Sequence, residues 1–208
     1  MSQFLSALEA SSYQHPDRNG PFTQLRQATI QAMIERGIEY STLAEHGLSW
    51  AEDQDPYGHV MAQAYPHIIA KCFIRLLESF HEQLKDKFPD FMAGRGIAVM
   101  TNRVAMITTR VVKYPDLLIT GIRIAEVRED RFSVFYSVWS VLRNTQVYES
   151  QTWIVFFNHK IGRKVNLTEE GGEYSDLHAS LVERAAESYR TMKLWEEKQK
   201  AEDKGSKL

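Results

Sequence analysis

The chain has 208 residues, 43% hydrophobic and 25% charged, with a formal charge of -2; this suits one globular domain with a sizeable core and additions at its ends. A balance so near neutral excludes a polyanion such as DNA as a partner of the whole surface and leaves only local basic patches for small phosphorylated ligands. A single cysteine, Cys72, excludes an intrachain disulfide and fits a reducing compartment, and no apolar run approaches the ~18 residues of a membrane span.

Residues 1–21 mix small, polar and turn-forming types and close on His15-Pro16-Asp17 and Asn19-Gly20-Pro21, an irregular arm without the basic flank of a signal peptide. Leu25, Ala28, Ile30, Ala32, Met33 and Ile34 predict a short helix stopped by Gly37 in a left-handed cap. A first strand with weak alternation is expected over 38–52. Val60, Ala64, Tyr65, Ile68, Ile69, Cys72, Phe73, Leu76, Leu77, Phe80 and Leu84 then follow helical spacing over about six turns. That predicts a long helix with a wide apolar face, starting near 61–65, where Pro66 leaves no bond unmade, and ending before Phe88-Pro89.

Four β-like runs follow. Ile97–Thr109 and Leu117–Val127 are rich in Val, Ile and Thr and are separated by Tyr114-Pro115-Asp116. Arg131–Leu142 alternates cleanly, and Thr152–Phe157 is a compact apolar run after a turn at Arg143-Asn144-Thr145. An amphipathic helix over 174–200 carries Leu177, Leu181, Ala185, Tyr189, Met192 and Trp195 on one stripe. The expected class is α+β: a twisted antiparallel sheet wrapped around one long central helix, which satisfies both sets of apolar faces. The expected boundaries are an arm and helix at 1–37, a central domain at 38–165, and a helix with a charged tail at 166–208. The tail ends in Ser206-Lys207-Leu208, the S-K-L address of the peroxisomal import receptor. The expected location is therefore the peroxisome, or the cytoplasm if the ending is chance.

The chemistry-bearing segment is Trp50-Ala51-Glu52-Asp53-Gln54-Asp55-Pro56-Tyr57-Gly58-His59-Val60, between the first strand and the long helix. Asp53 and Asp55 share a side if the segment is extended. Pro56 and Gly58 then turn the chain toward a helix N-terminus, where unpaired N–H groups stabilise a developing oxyanion. A carboxylate beside such donors is what thioester hydrolysis requires. On spacing alone the same residues also serve as caps and dipole partners in an ordinary turn.

Asp53-Gln54-Asp55-Pro56-Tyr57-Gly58-His59-Val60, with Tyr65 five residues on, resembles the D-x-D-P-x-G-x-V-x4-Y signature of hotdog-fold acyl-CoA thioesterases of the 4-hydroxybenzoyl-CoA type. Arg75-Leu76-Leu77-Glu78-Ser79 matches that family's mid-helix pattern, and the likeness covers residues 38–165. The resemblance implies a hotdog fold and hydrolysis of an acyl-CoA thioester to free acid and CoA. Asp55 would be general base or nucleophile, and the backbone N–H groups of Met61 and Ala62 the oxyanion site. Asp53, Gly58, His59 and Tyr65 would shape the site. It also implies a homodimer or homotetramer with acyl-CoA lying between subunits.

Where relatives carry Asn-Asn after G-H-V, this chain has Met61-Ala62. The loss of two amides favours a rival, a non-hydrolytic hotdog protein binding an acyl or polyketide-like ligand; a hotdog hydratase or dehydratase is a third reading. His159, Lys160, Arg163 and Lys164 form the basic cluster after the last strand, a candidate for CoA phosphates or simply a solvated loop. His59, His67 and His81 lack metal-ligand spacing, and neither a metal nor another cofactor is expected. Trp50, Phe73, Phe135, Trp139 and Trp153, expected near the pocket, suggest an acyl group that is medium-sized or longer, or aromatic.

Overall fold

The computed structural model describes residues 22–205; the arm at 1–21 and the terminal Ser206-Lys207-Leu208 lie outside the described residues. The chain begins with α1 (Phe22–Glu35), a 3-10 turn (Tyr40–Thr42) and β1 (Ala44–Gly47). After the chemistry-bearing segment come α2 (Ala64–Glu78), α3 (His81–Leu84), a 3-10 turn (Lys85–Lys87) and α4 (Phe88–Met92). The sheet is completed by β2 (Ile97–Thr108), β3 (Leu117–Arg128), β4 (Arg131–Ser140), β5 (Thr145–Asn158) and β6 (Arg163–Lys164), and the chain closes with α5 (Leu167–Glu170) and α6 (Gly172–Gly205). The strands form one antiparallel sheet in the order β1-β3-β4-β5-β2, with β6 paired to the end of β5.

The wide apolar arc of the central helix has the expected cause. Tyr65, Ile68, Ile69, Cys72, Leu76 and Leu77 of α2 are buried and share one core with Ile122, Ile124, Phe132, Val134, Tyr136, Val138, Ile154 and Phe156 from the inner face of the sheet. The helix is shorter than its periodicity suggests. At Ser79 the hydroxyl donates to the Leu76 carbonyl, and Phe80 N–H pairs three residues back with Leu77, so the regular ladder stops. Phe80 and Leu84 stay fully buried because a new short helix, α3, follows the break.

The first strand is also shorter than expected. Thr42 Oγ1 donates to Glu39 O and accepts from Ile122 N–H, and this local bonding replaces a ladder at the start of 38–52. The last long strand, conversely, begins at Thr145 and not near 152, because Asn144 adopts a left-handed φ of 46° and makes the turn earlier.

Both faces of the sheet are covered. On the outer face, away from α2, a second core of Met33, Ile38, Leu117, Ile119, Trp139 and Val141 lies under α1 and α6. Two glycines make the close approach possible. A Cβ on Gly37, whose φ is +79°, would sit 2.4 Å from Ser188 O, and one on Gly121 would sit 2.5 Å from Ile38 Cγ2. Arg184 of α6 pairs with both carboxylate oxygens of Glu39 and donates to Ser79 Oγ at 3.0 Å, tying the helix to the end of α2. The buried stripe of α6 runs from Leu177, Leu181 and Ala185, which join the inner core around α2, to Ser188 against Gly37; Tyr189, assigned to it by spacing, is 55% exposed. Among the described residues no helix is long and apolar enough to cross a membrane.

Candidate functional site

The segment between β1 and α2 folds as a small closed loop. Gln54 and Val60 form an isolated antiparallel bridge, Asp55 N–H donates to His59 O at 2.8 Å, and Met61 N–H donates to Asp53 O at 2.8 Å. Gly58 sits at the tip with φ +73°, the left-handed conformation that the turn requires. The loop is moored to the sheet where Val60 N–H reaches Val112 O, just beyond β2.

Asp55 stands at the base of this turn. Its Oδ1 accepts from Tyr57 N–H and His59 N–H, both at 2.9 Å, and His59 Nδ1 lies 3.9 Å from Oδ2. One carboxylate oxygen is thus fixed by two backbone donors while the other has no hydrogen bond among the described residues, only His59 Nδ1 at 3.9 Å, and the side chain stays 29% exposed. A carboxylate so placed can take a proton from water or approach an electrophilic carbon.

Asp53 has a different part. It is buried, and its Oδ2 accepts from Ser49 N–H at 2.7 Å and faces His46 Nε2 at 2.9 Å. Lys71 Nζ of α2 lies 2.7 Å from the other ring nitrogen of His46. An ammonium has no acceptor, so Lys71 donates to Nδ1 and the imidazole donates from Nε2 to Asp53. Burial pushes the Asp53 carboxyl up, but the His46 bond, the Ser49 N–H and the Lys71 charge outweigh it and hold the group below its ordinary range. Burial lowers the Lys71 ammonium, opposed by Asp53. This chain joins strand, loop and helix, so Asp53 shapes the loop from beneath while Asp55 faces out.

Met61 requires a correction. Its N–H is taken by Asp53 O, and α2 starts only at Ala64, so Met61 is not a helix-end donor and its N–H is not free for an oxyanion. Ala62 is exposed, and its N–H has no hydrogen bond among the described residues. Tyr65 is 1% exposed and stacks on Tyr148 at 4.3 Å; burial, with Tyr148 beside it, pushes its hydroxyl up to about 12. It is a packing residue.

The basic cluster is not brought to the loop within one chain. Arg163 and Lys164 pair with Asn158 and Phe157 at the end of β5, whereas the loop lies near Tyr148, at the other end of that strand. Ten residues of strand separate these ends by roughly 33 Å. Phe135 and Trp139 also lie elsewhere than expected: Phe135 lines a cavity under α6, and Trp139 belongs to the outer core.

His46, Lys71 and Gln54 escaped the sequence reading. His46 looked like one polar residue in a weakly alternating strand, although it shares the inward phase of Ala44, and Lys71 lies four residues after His67 on the helix. Gln54 Nε2 is buried without a hydrogen-bond partner among the described residues. Nothing in its spacing distinguishes Gln54 from a loop residue.

No family profile matches this sequence, and no curated protein matches it. Solved structures do match in shape. A 1,4-dihydroxy-2-naphthoyl-CoA thioesterase from Synechocystis superposes with a TM-score of 0.52 at 15% identity, covering 66% of this chain and 94% of the other. A DHNA-CoA thioesterase from Staphylococcus aureus gives a TM-score of 0.54 at 12% identity, covering 67% and 89%. A hypothetical protein from Staphylococcus aureus, solved in complex with CoA, gives 0.56 at 14% identity, covering 71% and 87%. At these identities the likeness is one of fold: the chain adopts an α+β hotdog fold, carrying additional helices at both ends.

Proposed function

We propose that this protein hydrolyses an acyl-CoA thioester, with Asp55 as the catalytic carboxylate. The observation that carries the reading is the state of Asp55, a partly exposed side chain held on one oxygen by two backbone donors, with only His59 Nδ1 near the other at 3.9 Å. The exposed Ala62 N–H supplies the donor that a developing oxyanion needs. In the simplest course Asp55 takes a proton from water as the oxygen attacks the thioester carbon. The tetrahedral intermediate then collapses, the C–S bond breaks, and the same proton passes to the departing CoA sulfur. The fold neighbours named for CoA thioester hydrolysis, and the one solved with CoA, support the substrate class. The resemblance of the segment from Asp53 to Tyr65 to the 4-hydroxybenzoyl-CoA type adds aryl-CoA thioesters to the substrates proposed.

The site is completed by a second copy. β2 is an edge strand, and Met100, Val104, Met106 and Ile107 along it are exposed. A long apolar edge with unpaired backbone groups invites another strand. Twofold pairing of β2 with its equivalent brings the start of one β2 beside the end of the other. Since Ile97 pairs with Asn158, the partner's basic cluster then approaches the Asp55 loop, which is moored just past the end of β2. His159, Lys160, Arg163 and Lys164 thereby become candidates for the CoA phosphates in trans.

Thiol release from a panel of aliphatic and aromatic acyl-CoAs tests the reading. Asp55→Asn is expected to lower turnover by at least ~100-fold, the scale of a lost general base. Binding of acyl-CoA without release from any panel member would instead identify a ligand-binding protein, the outcome that the apolar Met61-Ala62 pair favours.

A further inference from the structure

On the outer face of the sheet, remote from the Asp55 loop, α6 roofs a cavity of about 160 Å³. Its walls bring together two arginines. Arg36 is held between two indoles, its Cζ 4.6 Å from the Trp139 ring centroid and 4.4 Å from that of Trp195. Arg123 lies over Phe135, with its Cζ 4.5 Å from the ring centroid. A guanidinium covered on its faces by aromatic rings keeps its N–H groups at the edge, the geometry that grips a carboxylate with two parallel bonds.

Neither guanidinium has an ion pair or hydrogen bond among the described residues. The contrast with Arg184, gripped by both oxygens of Glu39, shows what a neutralised half-buried arginine looks like in this fold. Two carboxylates also line the cavity, neither hydrogen-bonded to an arginine of it: Glu149 accepts through Oε2 from Gln146, another lining residue, and Glu196 through Oε2 from Lys193. Burial is the leading influence on both arginines and lowers their affinity for the proton; for Arg123, the charges of Glu149 and Glu196 act in opposition. Desolvated cations with aromatic faces and open edges are a recognition element for an anion with an apolar body. The cavity lies below the ~300 Å³ typical of drug-sized ligands, which limits that body to a small one.

We propose that this cavity is a second ligand site, separate from the Asp55 loop, that takes a small organic carboxylate with an aromatic body. The carboxylate meets the edges of Arg36 and Arg123, and the ring packs beside Trp139 and Trp195. The site exists only because α1 and α6 cover the sheet, so it belongs to the helices added to the fold and does not depend on the hydrolytic reading.

Indole N–H signals of the four tryptophans provide local reporters. The full chain, labelled with 15N-tryptophan, is titrated with phenylacetate and separately with the neutral phenylacetamide. Phenylacetate is expected to shift the Trp139 and Trp195 signals saturably with a Kd at or below about 1 mM, leaving those of Trp50 and Trp153 in place. The amide, and Arg123→Gln with the acid, are expected to bind at least ~10-fold more weakly, the scale of a charge-assisted contact. Equal binding of acid and amide, shifts centred on Trp50 or Trp153, or no saturable shift would each overturn the proposal. If Arg123→Gln fails to fold, the acid–amide comparison on the unaltered chain decides alone.

Discussion

Asp53 and Asp55 are two positions apart in one loop, yet their surroundings give them opposite parts. Asp53 is buried and held below the usual carboxylate range by His46, Ser49 and Lys71. A carboxylate whose folded-state pKa is depressed stabilises the fold fully above its ordinary pKa near 3.9 and loses that contribution as the pH falls through the lower folded value. Asp53→Asn is therefore expected to cost about 2 kcal/mol at pH 7 and to lower Tm there. The deficit relative to the unaltered chain should shrink below about pH 4, which circular dichroism melts across pH 3–7 would follow. The turn at Pro56 and Gly58 was legible from residue type, whereas Asp55 was singled out from Asp53 only by the resemblance of the segment to the thioesterase signature. The relay through His46 and Lys71 was not legible. Those residues meet only when β1 and α2 pack on the loop, a contact between segments that no local pattern encodes.

At the scale of elements, the central helix and the strands β3 and β4 were legible because each buries an apolar face at its own period, whereas β2, exposed over most of its length, was legible only by its Val, Ile and Thr content. Their ends were less so. Ser79 stops α2 with a side-chain bond to Leu76 O, and Thr42 replaces a strand ladder with bonds of its own, two events that hydrophobic periodicity cannot register. The helix stop at Gly37 was legible, but its second purpose was not, since Ser188 comes from the other end of the chain. Gly37→Ala would place a Cβ 2.4 Å from Ser188 O at a φ that L side chains avoid. The expected cost is about 1–3 kcal/mol. Hydrogen exchange is expected to show it as loosening of α1 and of α6 from Ser188 onward, with α2 and the first half of α6, whose Leu177, Leu181 and Ala185 share the inner core, still protected; equal loss of protection everywhere would contradict the separation of the two cores.

For the whole molecule, the exposed edge of β2 is the feature that a single chain leaves unexplained. Met106 and Ile107 are 51% and 59% exposed, so replacing both with lysine leaves the isolated subunit's core intact while opposing strand pairing. The double variant is expected to elute at the monomer mass in size exclusion with light scattering and to lose thioester turnover; an unchanged oligomer would place the interface elsewhere. The most direct test of a shared hydrolytic site mixes two defective chains. One carries Asp55→Asn, and the other carries Lys160→Ala, Arg163→Ala and Lys164→Ala, with thiol release measured at low acyl-CoA after subunit exchange. If Asp55 of one copy works with the basic cluster of the other, each mixed dimer regains one intact site, and about a quarter of full activity returns in an equal mixture. Activity no greater than the average of the two parent variants would contradict a site shared in this way.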